Sequence, residues 1–176
     1  MTTPAYSAAL ADRISPTEFR RVLGHFCSGL TIVAGMSDGQ PVGFTCQSFS
    51  SLSLDPPLVT FSVARTSTSW PRIRDTGAFC VSILTAAQEK ACRAFAVSGA
   101  DKFAGVAWTP GPATGSPVID GSLAWIDCGI EAVHPGGDHL IVVGRVRALQ
   151  AAAADAAPLL FYRAAFLPPT RHPLED

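Results

Sequence analysis

The stretch PPLVTFSVA, residues 56–64, alternates Val59, Phe61 and Val63 against Leu58, Thr60 and Ser62. A period of two marks a half-buried strand, because successive side chains leave a strand on opposite faces. Upstream, LTIVAG (30–35) is short and β-branched, SDGQP (37–41) carries the Asp-Gly pair that favours a two-residue hairpin turn, and PVGFTCQ (41–47) returns. The chain therefore opens on three strands. FCVSIL (79–84), SLAWIDCGIEAVH (122–134), HLIVVGRVRALQ (139–150) and PLLFYRAAF (158–166) add more, with Ile126, Cys128, Ile130 and Ala132 on one face of the longest. No β-α-β alternation carries a G-x-G-x-x-G after a strand, so a doubly wound dinucleotide site is not readable. The pattern predicts a mainly β, mostly antiparallel barrel with peripheral helices packed outside.

Three helices are expected around it. Ser15-Pro16-Thr17-Glu18 reads as a capping box with proline at the first helical position, followed by Phe19, Val22, Leu23 and Phe26 on one buried stripe and Arg20, Arg21 and His25 facing out. A short helix near Ser69–Thr76 should stop at Gly77, and another should start at Thr85 with Gln88 in its capping box. On the strand at 139–150, Arg145 and Arg147 alternate with Val146 and Ala148, which suggests one solvent or ligand face. AAAADAAP (151–158) reads as a connector. With 176 residues, 48% of them hydrophobic, a single domain over 1–176 is expected, with extended tails at 1–14 and 168–176.

Thirteen basic against 14 acidic residues leave a net charge of −1, with no basic field to hold nucleic acid or an anionic membrane. The apolar runs are strand-sized, and MTTPAYSAALADR has neither a basic leader nor an apolar core, so a cytoplasmic location is expected. Five cysteines, at 27, 46, 80, 92 and 128, include no C-x-x-C pair, and an odd number cannot all pair within one chain. Reduced, mostly buried thiols follow.

Three polar stretches are candidates for chemistry. GFTCQSFSSLS (43–53) holds four serines, a threonine and a glutamine and no charge. Such groups suit a ligand rich in hydroxyl, carbonyl and ring-nitrogen atoms; they also suit a plain hydroxyl-rich loop. VARTSTSW (63–70) puts Arg65 beside Thr66, Ser67, Thr68 and Ser69 just before a helix, which fits a phosphate or an N-cap cluster with a solvated arginine. Lys102 could add a second positive charge. In HPGGDHLIVVG (134–144), His134 and His139 flank a Gly-Gly turn. A metal site lacks a third ligand at convincing spacing, so no metal is expected, and His139 at a strand start reads as a binding-site side chain. No ordered Ser-His-Asp or Cys-His set and few carboxylates accompany these stretches, which disfavours hydrolysis.

Taken in order, FRRVLGHFCSGLTIV, PVGFTCQSFSSLSLDPPLVTFSV, TSTSWPRIRDTGAFCVSIL, DKFAG, GSPVIDGSLAWIDCGIEAVHPGGDHLIVVGRV and PLLFYR resemble the short-chain flavin reductase family over nearly the whole chain. These are the small reductase components of two-component flavin-dependent monooxygenases that act on 4-hydroxyphenylacetate, phenol and steroid-derived phenols. The resemblance implies a split β-barrel that binds FMN or FAD, usually as a homodimer. It also implies NADH or NADPH as hydride donor and a separate oxygenase that receives the reduced flavin. It places Thr45, Cys46 and Gln47 along the flavin ring through main-chain contacts, and Ser48, Ser50 and Ser51 toward the ribityl chain and phosphate. Ser62, Arg65, Thr66 and Ser67 are on the far side, Lys102 and Phe103 close over the flavin, and His139 lies at the nicotinamide with Tyr162 and Arg163 nearby. The family often has Gly and Tyr where this chain has Ala164 and Phe166. A flavin carrier without turnover would share the barrel.

Overall fold

The computed structural model describes residues 14–99, 101–152 and 156–168. In chain order its elements are helix α1 (Pro16–Leu23), β1 (Ser28–Gly29), β2 (Thr31–Ser37), β3 (Gln40–Cys46), β4 (Ser50–Leu54) and β5 (Pro57–Ala64). Helix α2 (Trp70–Thr76) and β6 (Ala78–Ile83) follow, then α3 (Glu89–Ala96), β7 (Trp108–Pro110) and β8 (Pro117–Ile119). Two long strands, β9 (Ala124–Gly136) and β10 (His139–Ala151), precede a terminal hairpin of β11 (Leu160–Tyr162) and β12 (Ala165–Phe166).

The predicted hairpin turns at Asp38 and Gly39, both at positive φ (52° and 73°) as a two-residue turn between twisted strands requires. Seven antiparallel strands then pair in the order β3-β2-β6-β9-β10-β5-β4. This sheet is open, with β3 and β4 at its edges, so strand pairing does not close it into a barrel. What holds is the coarser expectation, a mainly β antiparallel sheet with helices packed on it. At β5 every second residue is buried, Val59, Phe61 and Val63 among them, as its period of two demands.

Strand β2 is covered on both faces. Val33 packs with Trp70 and Ile73 of α2, and Ile32 and Ala34 pack with Cys92 and Phe95 of α3. Phe61 and Phe79 meet edge to face at 5.2 Å in the first of these cores, and neither is more than 1% exposed. A large apolar side chain so enclosed contributes about 1.5–3 kcal/mol by leaving water. Helix α2 ends at Gly77 in the left-handed region (φ 74°), and Thr85 and Gln88 form the predicted capping box before α3.

Several expectations need correction. Ser15 caps α1 by accepting from the Glu18 amide at 3.1 Å, but the Glu18 carboxylate turns to Arg21 at 2.7 Å instead of reaching back. The stripe Phe19, Val22, Leu23 and Phe26 is not buried: each is more than half exposed. The composition after Gln47 shows no strand, yet Ser50–Leu54 is an edge strand, because β5 offers it a partner that composition does not reveal. In β9 the buried face runs through Ile126, Cys128 and Ile130 and then shifts to Val133, since a bulge at Glu131 changes the phase. PLLFYRAAF is a hairpin, not one strand: Arg163 and Ala164 turn at positive φ. Cys27 is exposed, while the other four thiols are free and buried. Residues 1–13 and 169–176 of the expected tails, and 153–155 of the connector, lie outside the described residues.

Asp127 carried no signal in the sequence beyond its place in a strand. It is fully buried, and its carboxylate accepts the amides of Ala113 and Thr114 at 2.9 and 3.0 Å and the Thr114 hydroxyl at 2.5 Å. Three donors satisfy this buried carboxylate, and they pin the loop between β7 and β8. Glycine is required at position 111, where a Cβ would come 2.6 Å from the Asp127 Oδ2.

Candidate functional site

A cavity of about 450 Å³ opens where β3 ends against β5. Its floor is Thr45–Ser48 and its far wall is Ser62–Ala64 followed by Thr66–Ser69. Phe95, Ala96 and Ser98, at the end of α3, form one side, with Lys102 and His139 at the rim. The hydroxyls on the floor are already engaged. Thr45 donates to the Cys92 carbonyl at 2.5 Å, which ties β3 to α3. The Ser48 hydroxyl accepts from the Ser62 amide at 2.8 Å and donates to the Ser62 carbonyl at 3.0 Å. Strand β4 pairs with β5 only up to Ser50↔Thr60, so Ser48 supplies at Ser62 the donor and acceptor that a longer β4 would have supplied. The same two bonds join the end of β3, one edge of the sheet, to β5 near the other.

Charge is sparse. Lys102 and His139 are the basic side chains among the lining residues, and no carboxylate lines the cavity. Lys102 Nζ donates to the Gly43 carbonyl at 3.1 Å and to the Ser69 hydroxyl at 3.3 Å, and partial burial holds its pKa below the ordinary lysine value. His139 Nδ1 is 2.7 Å from the Asp138 carboxylate, which the imidazole holds below the usual carboxylate range. Cys46 is buried and its thiol is pushed up, first by burial, so it remains a thiol near neutral pH. These groups can hold an anion and a polar ring; they contain no activated nucleophile.

Of the residues singled out from sequence, Thr45, Cys46, Gln47, Ser48, Ser62, Thr66, Ser67, Lys102 and His139 come together here. Ser50 and Ser51 lie on β4, and Ser50 lines a second cavity of about 490 Å³ with Phe26, Cys27 and Leu30. Gln47 and Ser48 border both cavities. Arg65 is exposed and bonds to Gly137, away from the cavity. Phe103 meets Phe95 edge to face at 4.8 Å and does not line the cavity. Tyr162 meets His25 edge to face at 6.2 Å, and the Arg163 amide donates to the Gly24 carbonyl at 2.9 Å, so both belong to the end of α1. Arg145 pairs with Glu131 at 2.7 Å. Sequence reasoning missed the end of α3; the polar Ser98, two residues past the helix, was the one available sign. Among the described residues no group of three His, Cys, Asp or Glu side chains is placed to hold a metal ion, and no helix is long and apolar enough to cross a membrane.

Residues 23–169 match the flavin reductase like domain. The chain belongs to that family. Among its relatives, the reductase subunit HsaB of a flavin-dependent monooxygenase from Rhodococcus jostii is 51% identical over 156 residues, which span 89% of this chain and 79% of that protein. The family fold is equally clear in solved structures. Nitrilotriacetate monooxygenase component B from Mycobacterium thermoresistibile superposes with a TM-score of 0.83 at 45% identity, covering 97% of this chain and 98% of that one. The NADH:FAD oxidoreductase of Streptomyces globisporus, solved in complex with NAD and FAD fragments, gives 0.82 at 36% identity over 91% and 94% of the two chains.

Proposed function

We propose that this chain is an NAD(P)H:flavin oxidoreductase that reduces FMN or FAD and supplies it to a separate flavin-dependent monooxygenase, with the cavity between β3 and β5 as the meeting place of flavin and nicotinamide. The observation that carries this reading is Lys102, a partly buried cation with no carboxylate partner, bonded to Ser69 in the same wall as Thr66 and Ser67. That donor set fits a phosphate monoester. The neutral floor at Thr45–Ser48 fits the ring, and the lack of acidic groups suits an anionic ligand.

Flavin, when bound, supplies the hydride acceptor, and reduced nicotinamide supplies the hydride. The protein's work is placement. The main chain at Thr45–Ser48 presents neutral donors to the ring's pyrimidine edge, where negative charge appears on reduction. Thr66, Ser67, Ser69 and Lys102 take the phosphate, with Ser62 beside them on the wall. His139, held through Nδ1 by Asp138, directs Nε2 toward the nicotinamide. The side chain of Ser48 acts on Ser62 and holds the floor in place.

We read the open sheet as a split barrel closed by side chains, because the Ser48–Ser62 bonds and the Phe44–Phe61 approach at 6.0 Å join β3 to β5. We further read the working form as a cytoplasmic homodimer. Four apolar side chains exposed on and just after α1 need a cover, and a second copy would also bring Ser50, Tyr162 and Arg163 to an interface.

Excess FMN or FAD is mixed anaerobically with the protein and NADH or NADPH, and flavin absorbance is followed. Catalytic bleaching of many equivalents supports the reductase and ranks both cofactors. Flavin that binds but stays oxidised with either nicotinamide leaves a carrier and removes His139 from its role.

A further inference from the structure

Arg65 stands between the two segments of the far wall, Ser62–Ala64 and Thr66–Ser69, without lining the cavity. It directly follows β5 and leads into the hydroxyl-rich wall at Thr66–Ser69, where a cation would be expected to meet the phosphate. Its side chain turns the other way. Arg65 Nε donates to the Gly137 carbonyl at 2.9 Å, and the Arg65 amide donates to the Asp138 carbonyl at 3.0 Å. Gly137 and Asp138 form the turn from β9 to β10, and the next residue is His139.

Strand pairing runs up to the edge of that turn and stops there. The β5–β10 ladder ends at Ala64↔His139 and the β9–β10 ladder at Gly136↔His139. Gly136 and Gly137 are adjacent, the second at φ 72°, so the backbone there has wide freedom. Asp138, which fixes the His139 ring through Nδ1, is itself on this turn. Two bonds from one residue therefore hold two successive carbonyls immediately before His139.

We propose that Arg65 is a positioning residue for hydride transfer: it fixes the β9–β10 turn, and through it the Asp138–His139 pair, and does not serve as a phosphate-binding cation. This rests on the role given to His139 above. The loss of one net hydrogen bond, about 1 kcal/mol, corresponds to a change of about fivefold.

Glutamine places its amide nitrogen the same number of bonds from Cα as arginine Nε and carries no charge, whereas lysine keeps the charge and sets it one atom further out. Arg65→Gln, Arg65→Lys and Arg65→Ala are compared by flavin titration, by the KM for NADH against kcat, and by hydrogen exchange at Gly137–His139 without ligands. The expected result is an unchanged flavin Kd in all three, a KM for NADH about fivefold higher in Arg65→Ala, and a KM within twofold of the parent in Arg65→Gln. Exchange should be faster in Arg65→Ala and restored in Arg65→Gln. In a His139→Ala background, Arg65→Ala should add nothing further. A raised flavin Kd rescued by lysine and not by glutamine overturns the proposal, as does an Arg65→Ala effect that adds fully to that of His139→Ala. If His139→Ala itself leaves nicotinamide kinetics unchanged, the reading of His139 fails and this inference with it. A marked His139→Ala effect beside a silent Arg65→Ala sinks the inference alone.

Discussion

Ser48 does with one hydroxyl what a neighbouring strand would do with a peptide group, and this makes it a wall-setting residue. Ser48→Ala strands the Ser62 amide and carbonyl at the cavity edge and frees the Gln47–Ser50 segment. Flavin Kd should rise about fivefold to tenfold, on the order of one hydrogen bond or slightly more, as measured by flavin fluorescence titration. Lys102 gives a pH dependence whose sign follows from its surroundings. Burial lowers its pKa from the ordinary 10.5 in the free protein, and a bound phosphate favours the charged form and raises it again. Flavin affinity should be full below the free protein's Lys102 pKa and fall as the pH climbs through it. Titrations at rising alkaline pH test this, and a curve for Lys102→Met that falls in parallel removes Lys102 from the site. The sequence made the residue types of this cavity legible, from Thr45 through Lys102 to His139. It could not show which way each hydroxyl points, because Thr45 is claimed by a helix 47 residues away in the chain and Ser48 by Ser62. Arg65 illustrates the same limit: its charge was visible and its partner, 72 residues on, was not.

At the scale of elements, period and capping carried most of the information. The hairpin at Asp38-Gly39, the alternation of β5, the stop at Gly77 and the box at Thr85 are local devices, and each forms as written. Strand β4 was hidden because serine has no strand preference of its own and pairs only because β5 lies beside it. The shift in β9 was hidden because a bulge leaves no compositional mark. One element junction is unusually tight: a Cβ at Gly144 of β10 would run into the Phe79 ring, which is fully buried and packed against Phe61. Gly144→Ala should therefore destabilise the protein by roughly 1–3 kcal/mol, the range for overpacking a filled core, seen as a lower denaturation midpoint at unchanged m-value. An unchanged midpoint would mean that Phe79 has room to move.

At the scale of the whole molecule, the exposed apolar stripe of α1 is the main feature the sequence misread. Amphipathic spacing predicted a buried stripe, yet all four side chains are more than half exposed, since periodicity marks an apolar face without saying what lies against it. Sedimentation should find a dimer, and a paired Phe19→Glu, Leu23→Glu variant should run as a monomer while keeping its far-ultraviolet dichroism; a wild-type monomer would refute the assembly proposed above. The two residues that border both cavities then carry a consequence. Gln47 and Ser48 face the cavity between β3 and β5 on one side, and on the other the pocket that opens beside Phe26 and Cys27 after α1. If a second chain firms that outer pocket, it also firms the floor under the ring, and the two associations become thermodynamically linked. Dilution alone should then loosen flavin, so the protein would hold its ligand most firmly where it is abundant and release it as it is thinned.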